Sequence, residues 1–170
     1  MTRRDANRHE VAGFFRLMSR GLEADILPTV RVLGIGVTAY GVLSRGLLSG
    51  TRREPPSGQD FRRHFPRFQG ENLERNRALV GALEGIAQEK GITPAQLAIA
   101  WVLSRGTDIV PLIGARTRTQ LREALGACAV VLTREELARI EQAVPAAQVA
   151  GTRYGPAQRA MLDSERPAQA

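Results

Sequence analysis

Two segments of this chain contain the glycines and polar side chains that could bind a phosphorylated ligand. They cover residues 36–50 and 109–121, and each reads as a short apolar strand followed by a glycine-containing turn. In the second segment a helix follows the turn at once. Free backbone N–H groups and the helix dipole at such a helix N-terminus both favour an anion. Together the two turns predict a site for one extended ligand with several phosphates, as in a dinucleotide.

The elements that must position these turns are strands that alternate with helices. Strands are predicted at 35–40 and 109–113, with a third short strand, or its remnant, at 14–18. Residues 51–70 form a long polar loop, of a length typical of a lid or clamp. Helices are predicted over residues 22–33, 72–90, 94–103, 118–126 and 134–143. The alternation predicts an α/β fold with parallel strands.

The first helix carries two features of its own. Its apolar face would consist of Leu22, Ile26, Val30 and Leu33, which recur at helical spacing. Pro28 lies inside this pattern and predicts a kink.

The small number of strands indicates part of a larger fold. Two or three parallel strands need cover on both faces and neighbours at both edges. We therefore divide the chain into an irregular segment (1–13), a partial α/β domain (14–145) and a weakly structured tail (146–170).

Composition limits the classes of function. The net charge is +7 and the isoelectric point near 11, and the charge comes almost wholly from arginine because Lys90 is the only lysine. Arginine and glutamate alternate without a basic run interleaved with aromatics, so anionic small ligands fit better than nucleic acid. The single cysteine, Cys128, excludes an internal disulfide and is expected to be buried; no metal site is predicted. No apolar stretch could cross a membrane and no export signal is evident, which favours a cytoplasmic protein.

Several stretches resemble one family. They are residues 19–23, 38–46, 65–68, 71–72, 90–103 and 111–116. In order and spacing they are similar to the C-terminal half of the aldo-keto reductases, which are NADP(H)-dependent oxidoreductases with a (β/α)8 barrel of the TIM type. The resemblance implies that this chain is a partial barrel with open strand edges.

The resemblance also implies the residues that would bind the cofactor. The turn after the penultimate strand resembles the pyrophosphate loop, the loop near residue 67 resembles the segment that folds over the cofactor, and the turn after the last strand resembles the adenosine and 2′-phosphate site. Arg116 would contact the 2′-phosphate, which implies NADP rather than NAD. Ala124 replaces a common adenine-contacting Asn, and Phe15 aligns near the aromatic that stacks on the nicotinamide. The implied cofactor residues are Tyr40, Gly41, Val42, Leu43, Ser44, Gly46, Arg67, Gly114, Arg116, Thr117, Gln120 and Glu123.

The family's catalytic Tyr, Lys, Asp and His lie upstream of the region matched here. Five residues of this chain have side chains capable of acid–base catalysis: His9, Tyr40, His64, Lys90 and Tyr154. Surface or loop roles are expected for them, and no catalytic residue is assigned. We expect a truncated form, or fragment, of an enzyme that reduces a small aldehyde or ketone, with only the cofactor-binding half present. The alternative is a non-catalytic interaction module that pairs with a separate N-terminal half or self-associates through open strand edges.

Overall fold

The computed structural model describes residues 10–50 and 54–155. In chain order the strands and α-helices are β1 (Glu10–Phe14), α1 (Ile26–Val32), β2 (Gly36–Tyr40), α2 (Gly70–Glu89), α3 (Pro94–Leu103), β3 (Ile109–Pro111), α4 (Arg118–Gly126) and α5 (Arg134–Ala143). Short 3-10 helices cover Gly21–Glu23, Ser44–Ser49, Phe61–His64, Pro66–Phe68, Ala127–Ala129 and Ala146–Gln148. The predicted α/β class is confirmed. None of the helices in these ranges is long and apolar enough to cross a membrane.

The strands form one parallel sheet in the order β1-β2-β3. Val37 pairs with Ile109, and both side chains are buried on the face that the helices cover. Alternate residues of a strand point to the opposite face. On that second face Val110 is 63% exposed and Leu112, just beyond β3, is 61% exposed. Within the described residues, the sheet is therefore open at both edges and covered on one face.

Helix α3 lies in the centre of the core. Leu97 and Trp101 are 0% exposed, as expected of a helix whose residues are nearly all apolar. Its start is fixed locally by a capping box, in which the Thr93 hydroxyl accepts from the Gln96 N–H and the Gln96 side chain accepts from the Thr93 N–H. The same device, with Thr133 and Glu136, starts α5.

The N-terminal prediction is wrong in two places. Strand β1 begins at Glu10, so residues 10–13 are not irregular; residues 1–9 lie outside the described ranges. The strand also ends at Phe14 rather than spanning 14–18, because the chain turns back in a small bridge between Arg16 and Ser19. Gly13 obscures the strand pattern; a Cβ there would lie 2.7 Å from a methyl group of Leu22, whose side chain would have to shift.

The predicted first helix is also corrected. A 3-10 turn at Gly21–Glu23 precedes α1, and the side chains buried from this region are Leu22, Leu27 and Val30. Leu33 is 64% exposed, so the predicted apolar face is wrong in part. Pro28 lies in the first turn of α1, where backbone N–H groups have no partner inside the helix, and it therefore need not kink the helix.

Part of the predicted tail is docked against the domain. Asn76, on the buried side of α2, accepts from the Ala150 N–H at 2.9 Å and donates to the Ala150 C=O at 2.9 Å. The chain from Ala146 to Gly155 is thereby held beside the 3-10 helices that form within the predicted loop at 51–70. Residues 51–53 of that loop lie outside the described ranges. The predicted burial of Cys128 is wrong, because this thiol is exposed.

Candidate functional site

An open cleft of about 600 Å³ lies between the turn after β2 and the turn after β3. Parallel neighbouring strands bring their carboxyl ends to the same edge of the sheet, which is why the two predicted segments meet there. Of the residues implied for the cofactor, those that line the cleft are Gly41, Val42, Leu43, Gly46, Gly114, Arg116, Gln120 and Glu123. The apolar part of the lining is formed by Ala95, Ile99, Leu112, Ile113 and Ala124.

The turn after β2 holds an unusual backbone conformation. Gly41, Ser44, Arg45 and Gly46 all have positive φ angles, of 70°, 52°, 57° and 88°. Such angles are uncommon for residues with a side chain and concentrate at functional turns. The turn is closed by hydrogen bonds from the Ser44 N–H to the Gly41 C=O at 2.8 Å and from the Gly46 N–H to the Leu43 C=O at 2.9 Å. The strained turn thus presents glycine backbone to the cleft.

The opposite side of the cleft is the N-terminus of α4. Thr117 is the N-cap, and its hydroxyl accepts from the Gln120 N–H at 3.2 Å. The Gln120 side chain in turn accepts from the Arg116 N–H at 2.8 Å, which fixes the backbone of the turn. The Arg116 side chain is exposed and lines the cleft. A positive helix end and an arginine therefore face the same opening.

Four of the implied cofactor residues lie outside the lining. Thr117 acts as the N-cap, and Ser44 is buried beneath the turn, where its hydroxyl has no hydrogen-bond partner among the described residues. The Tyr40 ring packs against Phe14, with ring centroids 3.9 Å apart. Arg67 donates from Nε to the Gly151 C=O at 3.2 Å and from a terminal nitrogen to the Ser19 hydroxyl at 3.1 Å.

Four further residues line the cleft that sequence reasoning did not identify. They are Arg45, Asp60, Phe61 and Arg62. Arg62 is buried although it lies in the loop predicted to be polar, and its guanidinium donates to the Asp60 carboxylate, which also caps the 3-10 helix there. The available signal was the position of Asp60, an N-cap residue two places before an arginine.

The aromatic assignment to Phe15 is wrong. Phe15 is 0% exposed and packs in the core against Trp101, with ring centroids 5.5 Å apart. It cannot contact a ligand in the cleft. Phe14, the residue before it, is the half-buried aromatic at the end of β1.

A second basic region adjoins the cleft and is named here the arginine cluster: Arg16, Arg45, Arg67 and Arg153. Arg16 lies at its base, 2% exposed, and donates to the Gly41 C=O at 2.9 Å. The pKa of Arg16 is lowered to about 9, first by burial and then by the positive charges of Arg67, Arg153 and Arg45. Arg45 belongs to both the cluster and the cleft.

The sheet is parallel, and the cleft at the carboxyl ends of its strands favours the binding of an anion. This arrangement is typical of α/β nucleotide-binding proteins. The particular family follows from comparison: the model of the aldo/keto reductase family matches residues 11–145, and this chain belongs to that family. The family predicted from the sequence is thereby confirmed.

Relatives and solved structures agree with this assignment. A probable aldo-keto reductase 1 of Glycine max is 42% identical over 140 residues, covering 81% of this chain and 40% of the relative. The structure of a glycerol dehydrogenase from Gluconobacter oxydans matches with a TM-score of 0.73 and 32% identity, covering 79% of this chain and 41% of that one. An aldo/keto reductase from Klebsiella pneumoniae, solved in complex with NADP and acetate, matches with a TM-score of 0.57 and 25% identity, covering 81% and 40%. The chain thus spans less than half the length of each of these proteins.

Proposed function

We propose that this chain is the NADP(H)-binding part of an aldo/keto reductase that reduces a small aldehyde or ketone when an N-terminal half completes the barrel. The observation that carries the proposal is the cleft itself. Two segments far apart in sequence, both implied by the family resemblance, meet around one opening with glycine turns on one side and Arg116 on the other. The family membership and the NADP bound by the Klebsiella relative support the choice of cofactor.

The chemistry of the cleft fits a phosphorylated nucleotide. The N-terminus of α4 offers backbone N–H groups and a positive dipole end, and Arg116 adds an exposed guanidinium suited to a phosphate monoester. The glycine turn at Gly41 and Gly46 allows close approach of the pyrophosphate, while Ala95 and Ile99 give an apolar wall. The cofactor, when bound, supplies the hydride for reduction of a carbonyl carbon.

None of the described acid–base candidates of this chain lines the cleft. Lys90 forms an ion pair with Glu136 at 2.6 Å, and His64 accepts a hydrogen bond from Arg63 on the surface. Tyr40 packs on Phe14 outside the cleft lining, and Tyr154 also lies outside the lining, with its ring near those of Phe14 and Phe65. His9 lies outside the described residues. We therefore propose that the catalytic groups come from the half of the barrel that this chain does not match.

A second candidate function is a non-catalytic interaction module. Its support is the uncovered face of the sheet, where Val110 and Leu112 are largely exposed, together with the edges of β1 and β3 within the described sheet. Such a face binds either a second copy of this chain or a separate N-terminal half, because both would cover it.

Titration of the purified chain with NADPH, followed by nucleotide fluorescence, tests the proposal. We expect saturable binding that Arg116→Ala weakens by about tenfold or more, since it removes a charge-assisted phosphate contact. NADH, which lacks the 2′-phosphate, should bind more weakly and should not respond to the substitution. Arg122→Ala, an exposed arginine on the same helix outside the cleft lining, is the matched control and should leave binding unchanged.

Sedimentation of the same sample separates the two candidates. A folded chain that does not bind NADPH contradicts the first proposal, and a defined dimer without nucleotide binding favours the second. Binding that is lost equally in both arginine variants would reflect general charge rather than a phosphate site.

A further inference from the structure

The arginine cluster concentrates positive charge at the carboxyl ends of β1 and β2, the edge at which barrel enzymes place their sites. Arg16 is its buried member, at the base of the cluster beside the Gly41 turn. Arg45, Arg67 and Arg153 are half-buried, so the cluster opens to solvent on their side.

The charges around Arg16 are of one sign. Among the described residues, the charged groups that act on it are Arg67, Arg153 and Arg45, with Tyr154 as the one group that favours its charged form. None of them is a carboxylate. By contrast, Arg20, which lies near in sequence, is paired with Glu141 at 3.4 Å. A buried cation without an opposite charge is costly, because its own desolvation and the neighbouring cations both oppose it.

Aromatic rings give the cluster part of its compensation. The Arg153 guanidinium lies 3.9 Å from the centroid of the Phe14 ring, and the Arg45 guanidinium lies 3.7 Å from that of Phe65. Arg16 is 5.2 Å from the Phe14 ring, a weaker contact. Its Nε atom is buried and has no hydrogen-bond partner among the described residues. A buried donor of this kind calls for an acceptor.

We propose that the arginine cluster is an oxyanion site, with Arg16 at its base, that takes a carboxylate or phosphate group of a bound small ligand. Two oxygens of a carboxylate or phosphate match the paired donors of a guanidinium group, and they would supply Arg16 with a negative charge that no described carboxylate provides. Arg16, Arg67 and Arg153 do not line the cofactor cleft, so this site lies beside it rather than within it. This proposal rests on the proposed function, under which the substrate would be a carbonyl compound that carries an acidic group.

The test is binding of inorganic phosphate and of a simple oxo acid, pyruvate, measured by calorimetry and by the shift in Tm, without nucleotide. We expect Arg16→Met to weaken both by about tenfold or more. Without anion, Arg16→Met should melt at a higher temperature than the wild type, because the substitution removes an uncompensated buried charge; saturating phosphate should narrow this difference. Acetone, a neutral carbonyl compound, should have no effect on either protein.

Two further variants keep the test decisive. Arg20→Met, which removes a compensated arginine, should leave phosphate binding unchanged. Arg153→Gln should weaken it, and it serves as the second probe if Arg16→Met fails to fold. Phosphate that binds the wild type and Arg16→Met equally, or binds neither, overturns the inference.

A repeat with the NADPH-saturated chain identifies the source of the oxyanion. Simultaneous binding of phosphate and nucleotide assigns the site to the substrate's acidic group. Competition would assign it to the pyrophosphate of the cofactor and would overturn the inferred substrate class. Because the anion titration is done without nucleotide, its failure is distinct from a failure to bind NADPH.

Discussion

Replacing Asn76 by alanine is expected to release the docked segment 146–155 from α2. Asn76 is 0% exposed and forms three hydrogen bonds: it accepts from the Ala150 N–H, and it donates to the C=O groups of Ala150 at 2.9 Å and of Arg67 at 3.2 Å. The amide thus ties two segments to one helix. One of these segments carries Arg67 and the other carries Arg153, both members of the arginine cluster.

The magnitude follows from the groups left without partners. Alanine at this position orphans the Ala150 N–H and C=O, and a buried polar group without a partner costs about 1–3 kcal/mol. The Arg67 C=O loses one donor as well. Since water can enter the vacated space and satisfy part of this demand, we expect the free energy of unfolding to fall by about 3 kcal/mol.

Urea unfolding followed by circular dichroism measures this difference, with Asn72→Ala as the matched control. Asn72 lies one turn earlier on α2, is half-buried and makes a single hydrogen bond to the Pro66 C=O at 3.1 Å, so its loss should cost about 1 kcal/mol. Trypsin should also cleave Asn76→Ala faster after Arg153. Equal stability of the two variants would refute the reasoning that the amide holds the segment in place.

Two further predictions concern the same segment and the far side of the domain. Gly151→Ala should destabilise the chain by about 2 kcal/mol in urea unfolding, because φ is +75° there and a Cβ would lie 2.9 Å from the Arg67 backbone; Gly155→Ala, with no atom within 4 Å, should be neutral. Asp108→Asn tests the pair with Arg31, whose hydrogen bond lowers the pKa of the Asp108 carboxyl. The pair's stabilisation, below about 1 kcal/mol at this exposed site, should be present above the unfolded pKa near 4 and vanish as the pH falls through the folded value, and a constant difference from pH 7 to pH 2 would contradict it.

The parts of the fold that could be predicted from sequence are those with local causes. The starts of α3 and α5 are given by Thr93 and Thr133, each followed three residues later by a side chain that completes a capping box. Likewise β2 and β3 are short, largely apolar runs, each followed by a turn that contains glycine. The meeting of the two turns followed from topology, because adjacent parallel strands end at the same edge.

The parts that sequence reasoning missed depend on distant residues. Strand β1 is defined by its pairing with β2, and the Leu22 side chain packs close to where a Cβ on Gly13 would lie. The docked tail depends on Asn76, a polar residue on the buried stripe of α2 between Leu73 and Val80. An amide at such a position is itself a signal, since a buried amide needs partners from another segment. The sequence pattern could therefore predict that the Asn76 amide has a hydrogen-bond partner in another segment, but it could not identify Ala150 as that partner.

The two basic regions differ in burial, and under the two proposals above they would have different tasks. Arg116 is exposed, so salt would screen its attraction for a phosphate and its long side chain must be ordered on binding. In the proposed cofactor site, such a group would favour encounter with the nucleotide and contact the 2′-phosphate. Arg16 is buried and already ordered by its bond to Gly41, so its field is little screened and an anion that reaches it loses little entropy in the protein. A neutral ligand placed beside Arg16 would leave that buried charge uncompensated. We therefore expect Arg16 to contribute more than Arg116 to selectivity for an acidic ligand.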